Sequence, residues 1–363
     1  MPDLHVATTP LTALIAAGVA RAEAREAALV LVDDYDDAAR WGELLAAWRD
    51  TPFARIERVP GRASEARAGA AIEGAALVRR LRRERIKRTL RAGAFERLRA
   101  LDRALAPERV FVGNDRRPET QYALHLAAGR RARPGIYLDD GLFTYLGDAH
   151  QRPIARRLDQ FFKRRLYGSW WQSLPLVGTS RFVDEARLAF PELALDAAPE
   201  RRRVPLAPAL FANRAFARLA RDAWRAFAPS APRARFDTLV LLPHTRLFRR
   251  GGAPDARLRR LLAERAGARV AVKYHPRETL PDPLALAGEG AELLPHGVPA
   301  ELVLARVARG GTVLGEASTA LLAARWLRPD LAVLDLGLAE APFALLARAF
   351  LAARGVAAFA SPR

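Results

Sequence analysis

The stretch Ala268-Arg-Val-Ala-Val272-Lys273-Tyr-His275-Pro276-Arg-Glu278 decides how this chain is read. A short apolar, β-branched run that ends in His-Pro predicts a buried strand with an imidazole at its carboxyl end. In open α/β sheets that edge is where ligands bind. The proline would fix the backbone beside the ring. Taken alone a His-Pro pair is more often a turn, so the surrounding pattern has to carry the argument.

Outward from this stretch, strand-like and helix-like segments alternate along both halves of the chain. Before it come Ala27-Ala-Leu-Val-Leu-Val32, which runs into the acidic cluster Asp33-Asp-Tyr-Asp-Asp37, then Arg109-Val-Phe-Val-Gly113, Pro134-Gly-Ile-Tyr-Leu138 and Phe236-Asp-Thr-Leu-Val-Leu-Leu242. After it come Ala291-Glu-Leu-Leu294, Thr312-Val-Leu314 and Leu331-Ala-Val-Leu334. Such alternation predicts parallel sheets covered by helices on both faces. Around one helix, Asp196-Ala-Ala-Pro-Glu-Arg-Arg-Arg203 and Pro229-Ser-Ala-Pro-Arg-Ala-Arg235 are rich in proline and charge, which places a linker there. The expectation is an α/β protein of two Rossmann-like domains. The first spans 1–205, the linker 206–235 and the second 236–340, with a final helix in 341–363 packing back on the first.

At 363 residues, half of them apolar, the chain is long enough for two cores and is not expected to be disordered. It has no cysteine, which excludes disulfides, thiolate metal sites and thiol nucleophiles and fits a cytoplasmic protein. No apolar run approaches the roughly 20 residues of a membrane span. The opening Leu4-His-Val-Ala-Thr-Thr-Pro-Leu-Thr-Ala-Leu-Ile reads as a first strand and helix rather than a signal peptide. The formal charge is +19, and all of the 59 basic residues except Lys87, Lys163 and Lys273 are arginine. A GC-rich genome would produce part of that excess. Between positions 79 and 91, however, Arg79, Arg80, Arg82, Arg83, Arg85, Lys87, Arg88 and Arg91 interleave with Leu81, Ile86 and Leu90, preceded by Leu77, a pattern that predicts an amphipathic helix. Arg79, Arg82, Arg83, Lys87 and Arg88 are therefore candidates for holding an anionic acceptor, or an anionic lipid surface at the inner face of the cytoplasmic membrane. A solvated helix face accounts for them equally well. Nucleic-acid binding has only the charge behind it, because no Gly-Lys-Ser/Thr loop, zinc spacing or aromatic RNA-binding signature is present.

Four elements stand in order: Ile136-Tyr-Leu-Asp139-Asp140-Gly141, then Lys273-Tyr-His275-Pro276, Pro299-Ala-Glu301-Leu and Gly315-Glu-Ala-Ser318-Thr319-Ala-Leu-Leu. From His275 to Glu301 is 26 positions, and from Glu301 to Ser318 is 17. In order and spacing they resemble the bacterial sialyltransferases, with their Asp/Glu-Asp/Glu-Gly, His-Pro and Ser-Ser/Thr signatures. Thr8-Thr-Pro-Leu and Leu293-Leu-Pro-His-Gly-Val-Pro-Ala-Glu301 look most like the polysialyltransferase and lipooligosaccharide sialyltransferase branch. The resemblance implies the GT-B glycosyltransferase architecture, two Rossmann-like domains facing a cleft with the nucleotide on the second. It also implies an inverting, metal-independent transfer of sialic acid from CMP-sialic acid to a cell-surface glycan or a growing sialic acid chain. Beyond that donor substrate, no cofactor and no metal is expected.

The residue types suit that chemistry. Adjacent carboxylates on an extended backbone point to opposite sides, so only one of Asp139 and Asp140 can face a ligand, and Gly141 permits the turn that exposes it. By resemblance Asp139 is the general base, with Asp140 holding the loop or tuning its neighbour; an Asp-Gly turn and a Mg²⁺ site are the rivals. His275 would donate to the departing phosphate. Lys273 would add positive charge to the pocket or pack its stem in the sheet. Ser318 and Thr319 open a helix, where hydroxyls and free amides both cap the helix and cradle phosphate. Glu301 by resemblance accepts from the ribose hydroxyls, and also sits favourably against a helix dipole; Pro276 completes the donor-binding set. His5, His125, His150 and His296 read as structural or solvent-facing, while His244 ends a strand on the same sheet edge as His275. Trp170 and Trp171 read as core, with sugar stacking as the alternative. A CMP-Kdo or other nonulosonate donor is the close rival, and a donor-binding relic without catalysis is a further one.

Overall fold

The computed structural model describes residues 2–35, 37–70, 72–73, 75–129, 135–147, 153–194, 202–227, 235–245, 253–265, 267–337 and 342–359. The chain divides into two compact units, 1–210 and 211–363.

In the first unit the strands are β1 (Asp3–Ala7), β2 (Ala27–Asp33), β3 (Phe53–Pro60), β4 (Val110–Val112), β5 (Gly135–Leu138), β6 (Glu185–Leu188) and β7 (Arg202–Pro205). The helices between them are α1 (Pro10–Glu23), α2 (Ala38–Ala47), α3 (Arg62–Ala70), α4 (Ala76–Leu105), α5 (Pro118–Ala128), α6 (Leu142–Leu146) and α7 (Pro153–Tyr167). Every residue of β1 and β2 is buried, as a parallel strand with helices on both faces requires. The sheet order is β3-β2-β1-β4-β5-β6-β7, all parallel. The direction of winding reverses between β1 and β4, so the carboxyl ends of β2, β1, β4 and β5 border the place where such sheets bind ligands. Leu4, Val6, Val30, Val32, Val110, Val112 and Tyr137 join Leu98, Leu101 and Leu124 of the helices in one apolar core.

The second unit continues the numbering with α8 (Arg214–Phe227), β8 (Phe236–Leu241), α9 (Ala253–Glu264), β9 (Val270–Lys273), β10 (Glu292–Leu294), α10 (Ala300–Val303), β11 (Val307–Gly315), α11 (Thr319–Leu327), β12 (Ala332–Asp335), α12 (Pro342–Ala352) and β13 (Ala357–Ala358). Its parallel sheet runs β10-β9-β8-β11-β12-β13, with the reversal between β8 and β11. At Gly315, the last residue of β11, a Cβ would lie 2.9 Å from the Leu241 carbonyl oxygen, so only glycine lets these two strands end side by side.

The expected linker, 206–235, contains α8. That helix buries Phe216, Leu219 and Trp224, and the Trp224 ring stands 6.3 Å from that of Phe236 at the start of β8, which ties the helix to the second unit. Residues 195–201 and 228–234 of the proline-rich stretches lie outside the described residues, as do Pro134 and His150. The last helix, α12, packs with β13, which extends the second sheet through its pairing with β12.

Candidate active site

β5 delivers Asp139-Asp140-Gly141 to the carboxyl edge of the first sheet, and Gly141, at φ +89°, turns the chain sharply into α6. The two carboxylates diverge, as an extended backbone dictates. Asp139 is 3% exposed and fully engaged. Its Oδ1 accepts from the Gly141 amide at 2.8 Å and the Thr144 hydroxyl at 3.2 Å, and its Oδ2 from the Ala189 amide at 2.9 Å and the Tyr145 hydroxyl. These bonds tie β5, α6 and the end of β6 together. Replacing Asp139 with Ala is therefore expected to destabilise the protein by roughly 3 kcal/mol, because buried donors lose their acceptor. Denaturant unfolding measures this, and an unchanged midpoint would remove Asp139 from the structural role.

Asp140 points the other way and is half-buried. Its Oδ2 accepts from the Asn114 side-chain amide at 2.8 Å, while its backbone amide donates to Tyr137 Oη at 3.1 Å. Burial raises its carboxyl to about 7, the Asn114 hydrogen bond opposes this, and the neighbouring charges of Asp139, Asp115 and Asp34 add to it. Asp115 itself is committed to the fold, accepting from the Gly178 and Ser180 amides at 2.7 Å each.

Asn114 also lines a hollow of about 370 Å³ that adjoins a larger one of about 620 Å³. The two share Arg62, Arg116, Arg117, Lys163 and Trp171, and the larger adds Lys87, Arg88 and Arg91 of α4. They form one groove between α4 and α7, dominated by cations and leading to Asn114. Some of its arginines are held by carboxylates: Arg117 bonds Asp34 at 2.6 Å and Arg91 bonds Glu65 at 2.7 Å. Trp171 is core, 3% exposed, yet it forms part of the groove wall with the Lys163 ammonium 5.0 Å from its ring centroid; Trp170 is core alone. Of the expected anion-binding residues, Lys87 and Arg88 line the groove, whereas Arg79, Arg82 and Arg83 are exposed outside its lining.

The second sheet brings three of the sequence elements onto neighbouring strand ends. His275 follows β9, His244 follows β8 and Ser318 follows β11, and these strands are adjacent. The rings of His244 and His275 are 5.8 Å apart. His244 Nδ1 lies 3.1 Å from Glu278 Oε1. His275 Nδ1 accepts from the Arg277 amide at 3.1 Å, so the neutral ring carries its proton on Nε2. Burial, then the charges of Arg277 and His244, lower the His275 imidazole to about 4. At neutral pH it is an uncharged hydrogen-bond donor. Pro276 is exposed beside it.

Ser318 caps α11, its Oγ accepting from the Leu321 amide at 3.5 Å, with Thr319 next to it. Lys273 does not reach toward the strand ends as a free cation. Its Nζ is buried and donates to the carbonyls of His296 at 3.0 Å and Pro295 at 3.4 Å, which anchors the loop leading to α10. Glu301, in the first turn of α10, is half-buried, and no other side chain among the described residues hydrogen-bonds its carboxylate; burial pushes its carboxyl up and Lys273 pulls it down. Among the described residues no three His, Asp or Glu side chains form a metal-binding group. His5 is stacked on Phe111 at 4.3 Å and His125 on Trp170 at 5.9 Å, both as packing elements, and His296 Nδ1 meets the Glu278 carbonyl. Asn114, Arg62, Arg116 and Lys163 carry no motif. Of these only Asn114 stands at a position the sequence marks, directly after the strand-like run that ends at Gly113.

No family model matches the chain, and no curated protein sequence does. Solved structures match its fold. UDP-GlcNAc 2-epimerase from Neisseria meningitidis, bound to UDP-GlcNAc, superposes with a TM-score of 0.51 at 13% identity over 95% of this chain and 85% of its own. TcCGT1 in complex with UDP gives 0.54 at 12% identity over 99% and 86%. The glycosyltransferase SnogD from Streptomyces nogalater gives 0.50 at 14% identity over 99% and 87%. The fold is thus two parallel-sheet α/β units of the GT-B kind.

Proposed function

We propose that this protein is a glycosyltransferase, and that it moves sialic acid from CMP-sialic acid to an anionic glycan with inversion. The observation that carries the reading is Asp140, a half-buried carboxylate raised to about 7 and joined through Asn114 to a cationic groove. That is the state a general base needs at neutral pH. Asp139, the base implied by resemblance, is enclosed by four donors, and the reading assigns it to the scaffold instead.

In this reading the groove holds the acceptor by its negative charges. Asp140 takes the proton of the acceptor hydroxyl, whose oxygen forms the new bond to the anomeric carbon. The bond from that carbon to the phosphate oxygen breaks, and the electron pair leaves with CMP. His275 donates its Nε2 hydrogen to that phosphate, and Ser318 with the first amides of α11 supplies further donors. Glu301, whose carboxylate no other described side chain takes, accepts from the ribose hydroxyls.

A UDP-sugar donor is the second reading, favoured by the fold neighbours solved with UDP and UDP-GlcNAc. A CMP-Kdo donor would use the same groups as CMP-sialic acid. Titration with CMP and UDP separates the first two. Tighter binding of CMP is expected, together with CMP release when CMP-sialic acid and a sialylated acceptor are supplied. Tighter binding of UDP would overturn the donor and leave the transferase, while binding of neither would overturn both.

A further inference from the structure

From the outward face of α7 we infer that this helix docks the protein on an anionic lipid bilayer. At about 100° per residue, Phe161, Ile154, Leu158, Phe162 and Leu166 share one arc of about 140°. All five are exposed, Ile154 by 74% and Phe162 by 65%, so a stripe of the kind that normally faces a core faces outward. The opposite side of α7 does the packing within the unit: Gln160 Nε2 bonds the Trp171 carbonyl at 2.7 Å, and Lys163 reaches over the Trp171 ring.

The charge of the helix selects the occupant. Arg156, Arg157, Lys163, Arg164 and Arg165 stand against the single acid Asp159, which is itself paired with Lys163 at 2.7 Å. Arg165 lies within the arc with its guanidinium 4.8 Å from the Phe161 ring centroid, the posture of a cation that reaches headgroups while its stem lies on apolar surface. An apolar stripe carrying arginines matches a bilayer of anionic headgroups over acyl chains. A second copy of the same face would set arginine against arginine. No helix among the described residues is long and apolar enough to cross a membrane, and α7 has 15 residues, so the contact lies in the interface plane.

Two further observations accord with a lipid contact. The first turns of α4 expose Leu77 and Leu81 among Arg79, Arg80, Arg82 and Arg83. Leu166 belongs both to the exposed arc and to the wall of the cationic groove, so the bilayer contact borders the groove. The inference concerns binding alone and stands apart from the proposed reaction.

The test is co-sedimentation of the full chain with vesicles of phosphatidylcholine alone and of phosphatidylcholine mixed with phosphatidylglycerol, with light scattering to follow the oligomeric state. Binding is expected only to the anionic vesicles and is expected to fall with salt. F161S/F162S should weaken it about ten-fold or more, and R157Q/R165Q should weaken it with a shallower salt dependence. Leu280→Ser, an exposed apolar residue of the second unit, should leave binding unchanged. Circular dichroism confirms that each variant is folded. Three results would overturn the inference: no binding of the wild type to anionic vesicles at low salt, equal binding to neutral vesicles, or F161S/F162S binding like the wild type. Conversion of a wild-type dimer to a monomer by F161S/F162S would also overturn it, by assigning the face to a second copy.

Discussion

Asp140→Asn is expected to lower transfer by about 10² to 10⁴ while leaving the fold and donor affinity intact, the range typical for loss of a positioned general base. Asparagine keeps the size of the side chain and an oxygen to accept from Asn114, so the loss reports proton transfer rather than packing. The pH dependence follows from the direction of the shift. A carboxyl raised to about 7 is protonated below that pH and cannot accept a proton, so the wild-type rate climbs through about 7 and levels above it. In the variant that limb disappears with the activity. Stability gives an independent check, and its sign is opposite to that of activity. Between about 4, where an unfolded aspartate ionises, and about 7, the folded state binds the extra proton, so wild-type stability falls as pH rises through this window. Asp140→Asn removes that slope. If Asp140→Asn turned over like the wild type, the base would have to be sought elsewhere, and Asp139→Asn with a thousand-fold loss at unchanged stability would return the role to Asp139.

His275→Ala is expected to cost about 10² to 10³ in turnover, the loss typical when a preorganised donor to a developing negative charge is removed. The ring has its Nδ1 occupied by the Arg277 amide and its Nε2 hydrogen available, and at about 4 its pKa leaves it uncharged throughout the working range. Its function is therefore that of a neutral donor, and it should contribute no limb to the pH profile above about 5. His275→Gln, which can place an amide hydrogen near the same position, should recover part of the loss without adding a pH limb. A profile in which activity falls as pH rises from 6 to 7, and in which His275→Ala abolishes that fall, would contradict the neutral state and make the imidazolium the acid.

The strands that run as apolar segments were legible from composition alone. β2, β5, β8 and β9 are short, β-branched or leucine-rich runs whose only charged residues at buried positions are Asp33 and Lys273 at the carboxyl ends of β2 and β9, and such runs have few stable alternatives to the centre of a parallel sheet. Their order with the intervening helices also implied two sheets, and the carboxyl ends of the strands named the positions at which Asp139, Asp140, His275 and Ser318 would emerge. The strands β3, β6 and β7 escaped this reading. Their sequences, Phe53-Ala-Arg-Ile-Glu-Arg-Val-Pro60, Glu185-Ala-Arg-Leu188 and Arg202-Arg-Val-Pro205, carry charge at partly exposed positions near the sheet edges, where pairing with an inner neighbour, not local apolarity, makes a strand.

Local sequence names the residue types at a site; it does not say how each is used. Both Asp139 and Asp140 satisfy the motif, but their environments come from Asn114 after β4, Thr144 and Tyr145 on α6 and Ala189 after β6, up to 50 positions away. Burial raises both carboxyls, and hydrogen-bond donors brought from other elements close one and leave the other open. Lys273 is a similar case. Its place in the chain beside His275 is fixed by sequence, yet the carbonyls of the β10–α10 loop take its ammonium. The groove, too, has no sequence signature, because Lys87 and Lys163 belong to helices far apart in the chain that meet only across the folded unit. Periodicity and strand composition, which act over a few residues, thus determined the two sheets and the edge positions of the candidate site. Which carboxylate stays open, which histidine stays neutral and where the cations gather were decided by desolvation and hydrogen bonding between distant segments, and these exist only once the chain has folded.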